Sequence, residues 1–211
     1  MTRAIIFDLD GVLVNTEPLW YEAFEKVSRE FGFEYSEELH RLSLGRSDHA
    51  LRLTIKMGIS EKHPEFLERI REVFKSLFEK RAKLMPGVVD LLPKLKDKYK
   101  LAIATSAYKP RLDYNLEKFP ELKKFFDAFV SGDLVEKSKP APDIFLLAAG
   151  KLGVDSKECL VIEDAESGVA AAKKAGMKVI GVAPKHMFYQ DLSKADKIVI
   201  SLSDIRLTDL K

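Results

Sequence analysis

Asp8 and Asp10 stand one residue apart at the end of the first apolar run of the chain, Ala4–Phe7. Carboxylates clustered this closely repel each other unless a cation compensates them, and hard oxygen ligands of this kind select Mg2+ or Ca2+. Mg2+ takes one or two carboxylates and keeps waters and phosphate oxygens as its other ligands. A carboxylate is also a possible nucleophile toward phosphorus. Thr105 and Ser106, in "ATSA", carry hydroxyls that can bond phosphate oxygens, and Glu163 and Asp164 add two acids in "LVIEDAESG". The segment "EKSKPAPDIF" offers Lys137 and Lys139 to neutralise charge, with Pro140 and Pro142 stiffening the loop. Acids, hydroxyls and a lysine are the parts of phosphoryl transfer, a reaction that depends mostly on positioning and electrostatic stabilisation.

Residues spread from position 8 to position 164 act together only if the fold gathers them. Apolar runs rich in β-branched residues occur at Ala4–Phe7, Leu101–Thr105, Ala128–Ser131, Leu160–Glu163 and Lys178–Val182, with a weaker one at Lys197–Ser201. From the second run onward they alternate with helical patterns at Tyr114–Phe119, Asp143–Leu152 and Ser167–Ala175. Runs without polar alternation fit parallel strands covered by helices on both faces. Their alternation with helices predicts βαβ units. The expected fold class is α/β, a Rossmann-like doubly wound parallel sheet. Ligands of such sheets bind beyond the carboxyl ends of the strands, near the point where strand order reverses. Asp8 with Asp10, Thr105 with Ser106, and Glu163 with Asp164 all fall at such ends. Three strands thus deliver polar groups to one edge.

One long interruption separates the first strand from the second. Trp20, Phe24, Val27 and Phe31 recur at helical steps, as do Phe66, Ile70, Val73, Phe74, Leu77 and Phe78. Pro64 suits the first turn of the second of these helices. Residues 16–84 read as an inserted all-helical domain, and residues 1–15 and 85–211 as the α/β core. The crossings near Asn15–Pro18 and Met85–Gly87 carry residues suited to hinges or turns. Asp143, ahead of an apolar-periodic run, reads as a helix N-cap.

Composition excludes several classes. The 35 basic and 33 acidic residues nearly cancel and leave no basic stripe, so a nucleic-acid partner is not expected. No apolar run approaches the roughly 20 residues that span a bilayer, and the first residues lack the charged n-region and long apolar run expected of a signal peptide. The single cysteine, Cys159, cannot form an internal disulfide and enters a buried strand, which fits an inert core thiol in a cytoplasmic protein. His40, His49, His63 and His186 show no metal-ligand spacing and read as surface or insertion residues.

"DLDGVLV", "ATSA", "KPAPD" and "IEDAESGVAAAKKAG" together resemble, in order, the four motifs of the haloacid dehalogenase-like phosphatases. The helical insertion resembles the small α-helical cap of that family. The likeness is greatest to the subgroup that contains β-phosphoglucomutase and small sugar-phosphate or nucleotide phosphatases. It implies that Asp8 is the nucleophile, Asp10 the general acid and base, and that Thr105 and Lys139 hold the transferring phosphoryl group. It implies Mg2+ held by the Asp8 carboxylate, the Asp10 main-chain carbonyl and Asp164, with Glu163 as a ligand or a support. Ser106 is expected to contact phosphate.

Substrate choice is expected to lie in the cap. Its segment "LSLGRSDHA" offers Gly45 for a turn and Arg46 for a charged or hydroxylated leaving group. Leu44, Asp48 and Trp20 stand where β-phosphoglucomutase carries basic residues, which favours hydrolysis over a mutase reaction. Trp20 is expected near the cleft between cap and core. A phospho-accepting receiver domain also gathers acids, a hydroxyl and a lysine, but leaves the insertion unexplained. A binding protein without catalysis leaves the intact Asp8–Asp10 pair unexplained. The expected partner is a small phosphorylated metabolite, without nucleic acid or membrane, bound by a monomer.

Overall fold

Each of the six apolar runs becomes a strand: β1 (Ala4–Phe7), β2 (Lys100–Ala104), β3 (Ala128–Val130), β4 (Cys159–Glu163), β5 (Lys178–Val182) and β6 (Lys197–Val199). The structure, a computed structural model, describes residues 1–41, 49–184 and 190–210. The strands form one sheet in the order β3-β2-β1-β4-β5-β6, with every neighbouring pair parallel. Phe7 aligns with Ile103 on one side and with Ile162 on the other. The residues that follow these three strands therefore emerge at one level. Strand order reverses between β1 and β4, the place where open parallel sheets bind ligands.

Side chains along a strand alternate between faces. Ile5, Phe7, Leu101, Ile103, Leu160 and Ile162 point to one face, beneath α5 (Val88–Lys96) and α6 (Lys109–Lys118). Ala4, Ile6, Ala102, Ala104, Val161 and Val179 point to the other, beneath α7 (Asp143–Leu152) and α8 (Glu166–Lys174). Asp143 is not the N-cap of α7. Pro142 holds that position in an already helical conformation, without a side-chain capping hydrogen bond, and Asp143 is the first residue of the helix.

Between β1 and β2 lie α1 (Glu17–Glu30), α2 (Glu37–Arg41), α3 (His49–Lys56) and α4 (His63–Arg81). Pro18 and Pro64 occupy the first turns of α1 and α4, where their missing N–H costs nothing. The two helices pack together by burying Leu19, Phe24 and Val27 against Phe66, Ile70, Phe74 and Phe78. Full burial of a side chain such as Phe66 or Phe78 stabilises by about 1.5–3 kcal/mol. The chain enters and leaves this insertion along paired segments. Asn15 N–H donates to the Lys83 carbonyl and Met85 N–H to the Leu13 carbonyl, each at 2.9 Å. Among the described residues, no helix is long and apolar enough to cross a membrane.

Candidate active site

Asp8 continues the line of β1, and its N–H donates to the Ile162 carbonyl at 3.0 Å. The chain then turns sharply at Gly11, whose φ is +76°. The Asp8 side chain is buried. Lys139 Nζ donates to Asp8 Oδ1 at 2.5 Å and to Glu163 Oε1 at 2.6 Å. Glu163 Oε2 accepts the Ala165 N–H at 2.7 Å. Both Glu163 oxygens thus face donors from the protein, one of them Lys139. Of the two lysines in this loop, Lys139 is buried and Lys137 exposed.

One ammonium here faces three carboxylates, and the charges do not balance. Burial pushes the Asp8 carboxyl up to about 7 against the pull of Lys139, and Glu163 and Asp10 add repulsion. Burial also holds Asp164 well above the usual carboxylate range, reinforced by Glu163, Asp8 and Glu17. Burial opposes the Lys139 ammonium, but Asp8 and Glu163 outweigh it and raise its pKa. The lysine is therefore the charged partner, and the surplus of carboxylates is relieved by protons unless a cation takes their place.

That surplus, on oxygen atoms alone, suits Mg2+. Asp164 packs against the turn after β1 so tightly that a Cβ on Gly11 would lie 1.9 Å from its Oδ2. Among the described residues, no three His, Cys, Asp or Glu side chains converge as a metal cage. The implied set needs only the Asp8 and Asp164 carboxylates and one main-chain carbonyl, so the residues present fit a metal that keeps water and phosphate ligands.

Asp10 is held from the opposite side. Its Oδ1 accepts from Thr16 Oγ1 at 2.6 Å and from Arg111 Nη2 at 2.5 Å. Arg111 lies in the first turn of α6, and its guanidinium carbon is 4.4 Å from the Trp20 ring centroid and 5.5 Å from that of Phe74. Trp20 and Phe74 stack with centroids 3.6 Å apart and planes 8° apart. Trp20 is thus packed into the insertion and also faces the cleft. Sequence reasoning missed Thr16 and Arg111. The one available signal was that Arg111 lies in the first turn of the helix that follows Thr105 and Ser106.

Thr105 is buried, and its Oγ1 accepts the Ala107 N–H at 3.1 Å. The Ser106 hydroxyl oxygen is buried without a hydrogen-bond partner among the described residues. Asp8, Asp10, Thr105, Ser106, Lys139, Glu163 and Asp164 all border one cavity of about 800 Å3, whose other wall includes Trp20, Ile70 and Phe74. Gly45 and Arg46 lie outside the described residues. His40 lies in the insertion, buried in α2 beside the Tyr35 hydroxyl, 2.9 Å from its Nδ1. Burial pushes the Cys159 thiol up to about 11, which leaves it protonated and inert.

A sequence profile of haloacid dehalogenase-like hydrolases matches residues 5–182, from β1 to the end of β5. The chain belongs to this family. Among these hydrolases, a phosphorylated-carbohydrates phosphatase of Thermotoga maritima is 39% identical over 181 residues, covering 84% of this chain and 83% of that one. A β-phosphoglucomutase of Bacillus subtilis is 31% identical over 216 residues, covering 97% and 92%. The crystal structure of a β-phosphoglucomutase from Clostridium difficile matches with a TM-score of 0.85 at 25% identity, over 100% of this chain and 96% of that one. The architecture is that of a haloacid dehalogenase-like hydrolase with an inserted helical cap. Phosphatases among its relatives place the chain with the phosphoric monoester hydrolases of the family.

Proposed function

We propose that this hydrolase is a Mg2+-dependent phosphatase that releases phosphate from a small phosphorylated metabolite, a sugar phosphate or nucleotide-like monoester, through an aspartyl-phosphate. The observation that carries the reading is the Lys139 ammonium on Asp8 Oδ1, in a cavity shared with Asp10, Thr105, Ser106 and Asp164. The core, residues 1–15 and 85–211, holds the reacting groups. The cap, residues 16–84, closes the cavity from the other side, and its two paired crossings are the place for a hinge.

In this scheme Lys139 occupies Asp8 Oδ1 and leaves Oδ2 to attack phosphorus. The bond to the leaving alcohol breaks as Asp10 gives that oxygen a proton. Asp10 then takes a proton from the water that attacks the aspartyl-phosphate. Thr16 and Arg111 keep the Asp10 carboxylate at the edge of the cavity for both steps. Ser106, whose hydroxyl has no partner among the described residues, and Thr105 bond the phosphoryl oxygens, and Glu163 orients Lys139. Mg2+ on Asp8, the Asp10 carbonyl and Asp164 would neutralise the charge of the phosphoryl oxygens.

A mutase is the second reading, because β-phosphoglucomutases are among the relatives. The two are separated by assaying a panel of phosphate monoesters with Mg2+, β-glucose 1-phosphate included. The phosphatase reading expects inorganic phosphate from members of the panel. Conversion of β-glucose 1-phosphate to glucose 6-phosphate, stimulated by glucose 1,6-bisphosphate, would replace it with the mutase reading.

A further inference from the structure

The helix that carries Arg111 has no cap of its own. Tyr108 occupies the N-cap position of α6 and makes no side-chain capping hydrogen bond, so the first N–H groups of the helix need an acceptor from elsewhere. Asp133 supplies it, from the turn Gly132–Leu134 that follows β3. Its Oδ1 accepts the Lys109 N–H at 2.7 Å. One residue earlier, the Gly132 N–H donates to the Ala107 carbonyl at 2.8 Å. Gly132 lies so close to this loop that a Cβ there would stand 2.4 Å from the Ser106 carbonyl oxygen. The turn after β3 thus grips the start of α6 at Ser106, Ala107 and Lys109. Arg111 stands two residues further on, between Asp10 Oδ1 at 2.5 Å and the Trp20 ring centroid at 4.4 Å. A guanidinium held on both sides cannot follow a displaced helix and keep both contacts.

We propose that Asp133 is a positioning residue for Asp10. It is exposed and does not border the cavity. By capping α6 it sets the place of Arg111, and Arg111 sets the Asp10 carboxylate. The proposal rests on the role given to Asp10 in the phosphatase reading. A carboxylate at a helix N-terminus also stabilises the helix through its dipole, and that role alone would leave the chemistry of the folded enzyme untouched. A displaced Asp10, in contrast, delivers its proton poorly to the leaving oxygen. Esters whose alcohol departs without a proton do not feel the displacement. The signature of positioning is therefore a loss that falls on poor leaving groups.

Asp133→Ala removes the acceptor, whereas Asp133→Asn keeps one, and asparagine caps helices as well as aspartate does. Leu112 and Leu116 bury α6 in the core, so Asp133→Ala is expected to stay folded. Trp20 is the only tryptophan, so its emission reports the Arg111 stack without any substrate. Asp133→Ala is expected to move that emission in the direction that Arg111→Ala does, and to change nothing further in the Arg111→Ala background. Asp133→Asn should keep the wild-type spectrum. In Asp133→Ala, kcat/KM should fall by roughly 10-fold or more for glycerol 2-phosphate, and by less than about 3-fold for p-nitrophenyl phosphate, whose alcohol leaves without help. Asp133→Asn should restore the first. A folded Asp133→Ala with the wild-type emission, or with equal losses on the two esters, overturns the proposal. If Asp133→Ala does not fold, Gly132→Ala, which pushes the same turn off Ser106, takes its place with the same expectations. If the wild type hydrolyses no phosphate monoester, the phosphatase reading fails instead. The emission series needs no turnover and still decides whether Asp133 places Arg111.

Discussion

Gly168 and Glu163 are so close that a Cβ on the glycine would stand 1.7 Å from Glu163 Oε1. The glycine leaves the room in which that oxygen meets Lys139. Replacing an ordinary helical glycine by alanine stabilises by about 1 kcal/mol. Here the sign is expected to reverse. Gly168→Ala should destabilise by about 1–3 kcal/mol, the scale of overpacking, and should lower kcat by displacing Glu163. Urea denaturation and steady-state kinetics check both. A more stable variant with unchanged kcat would show that Glu163 has no part in positioning Lys139.

Asp164 and Glu163 are neighbours in sequence but are given different tasks. Asp164→Ala should raise the Mg2+ concentration for half-maximal activity by about 10-fold or more. Glu163→Gln should leave that concentration nearly unchanged and lower kcat, because it weakens the hold on Lys139. A Mg2+ titration of both variants decides the assignment. The reverse pattern would make Glu163 the ligand.

The buried carboxylates also set how the metal-free protein responds to pH. The Asp8 carboxyl has its usual value of 3.8 when unfolded and about 7 when folded. The folded state therefore binds more protons, and stability from this group is present below the lower value and lost as pH rises through the higher one. Between pH 5 and 8, in a chelator, the wild type should lose stability, with Asp164 adding in the same direction. Asp8→Asn should flatten part of the slope. Denaturant midpoints for both proteins across this range make the check.

The sheet and one edge of the site were legible because both follow from short-range patterns. Six apolar runs became six strands, with most boundaries within a residue or two, because buried parallel strands leave no polar alternation to blur them. Asp8, Thr105 and Glu163 were placed by strand ends alone. Lys139 was distinguishable from Lys137 only by resemblance, since nothing local says which lysine turns inward. Thr16 and Arg111 were not legible. Their bonds to Asp10 depend on how α1 and α6 sit above the sheet, and long side chains reach across that gap without leaving a sequence period. Asp143 was misread because capping statistics favour aspartate, while Pro142 takes the cap position and Asp143 is the first helical residue.

The central claim is that Asp8 attacks phosphorus, and the direct measurement is the rate at which Asp8→Asn releases phosphate from phenyl phosphate with Mg2+ present. The amide keeps the shape of the carboxylate and cannot form an acyl phosphate. Circular dichroism unchanged from the wild type, with turnover lower by roughly 10,000-fold or more, is the predicted result. Near-normal turnover by the folded variant would contradict the assignment of Asp8 as nucleophile.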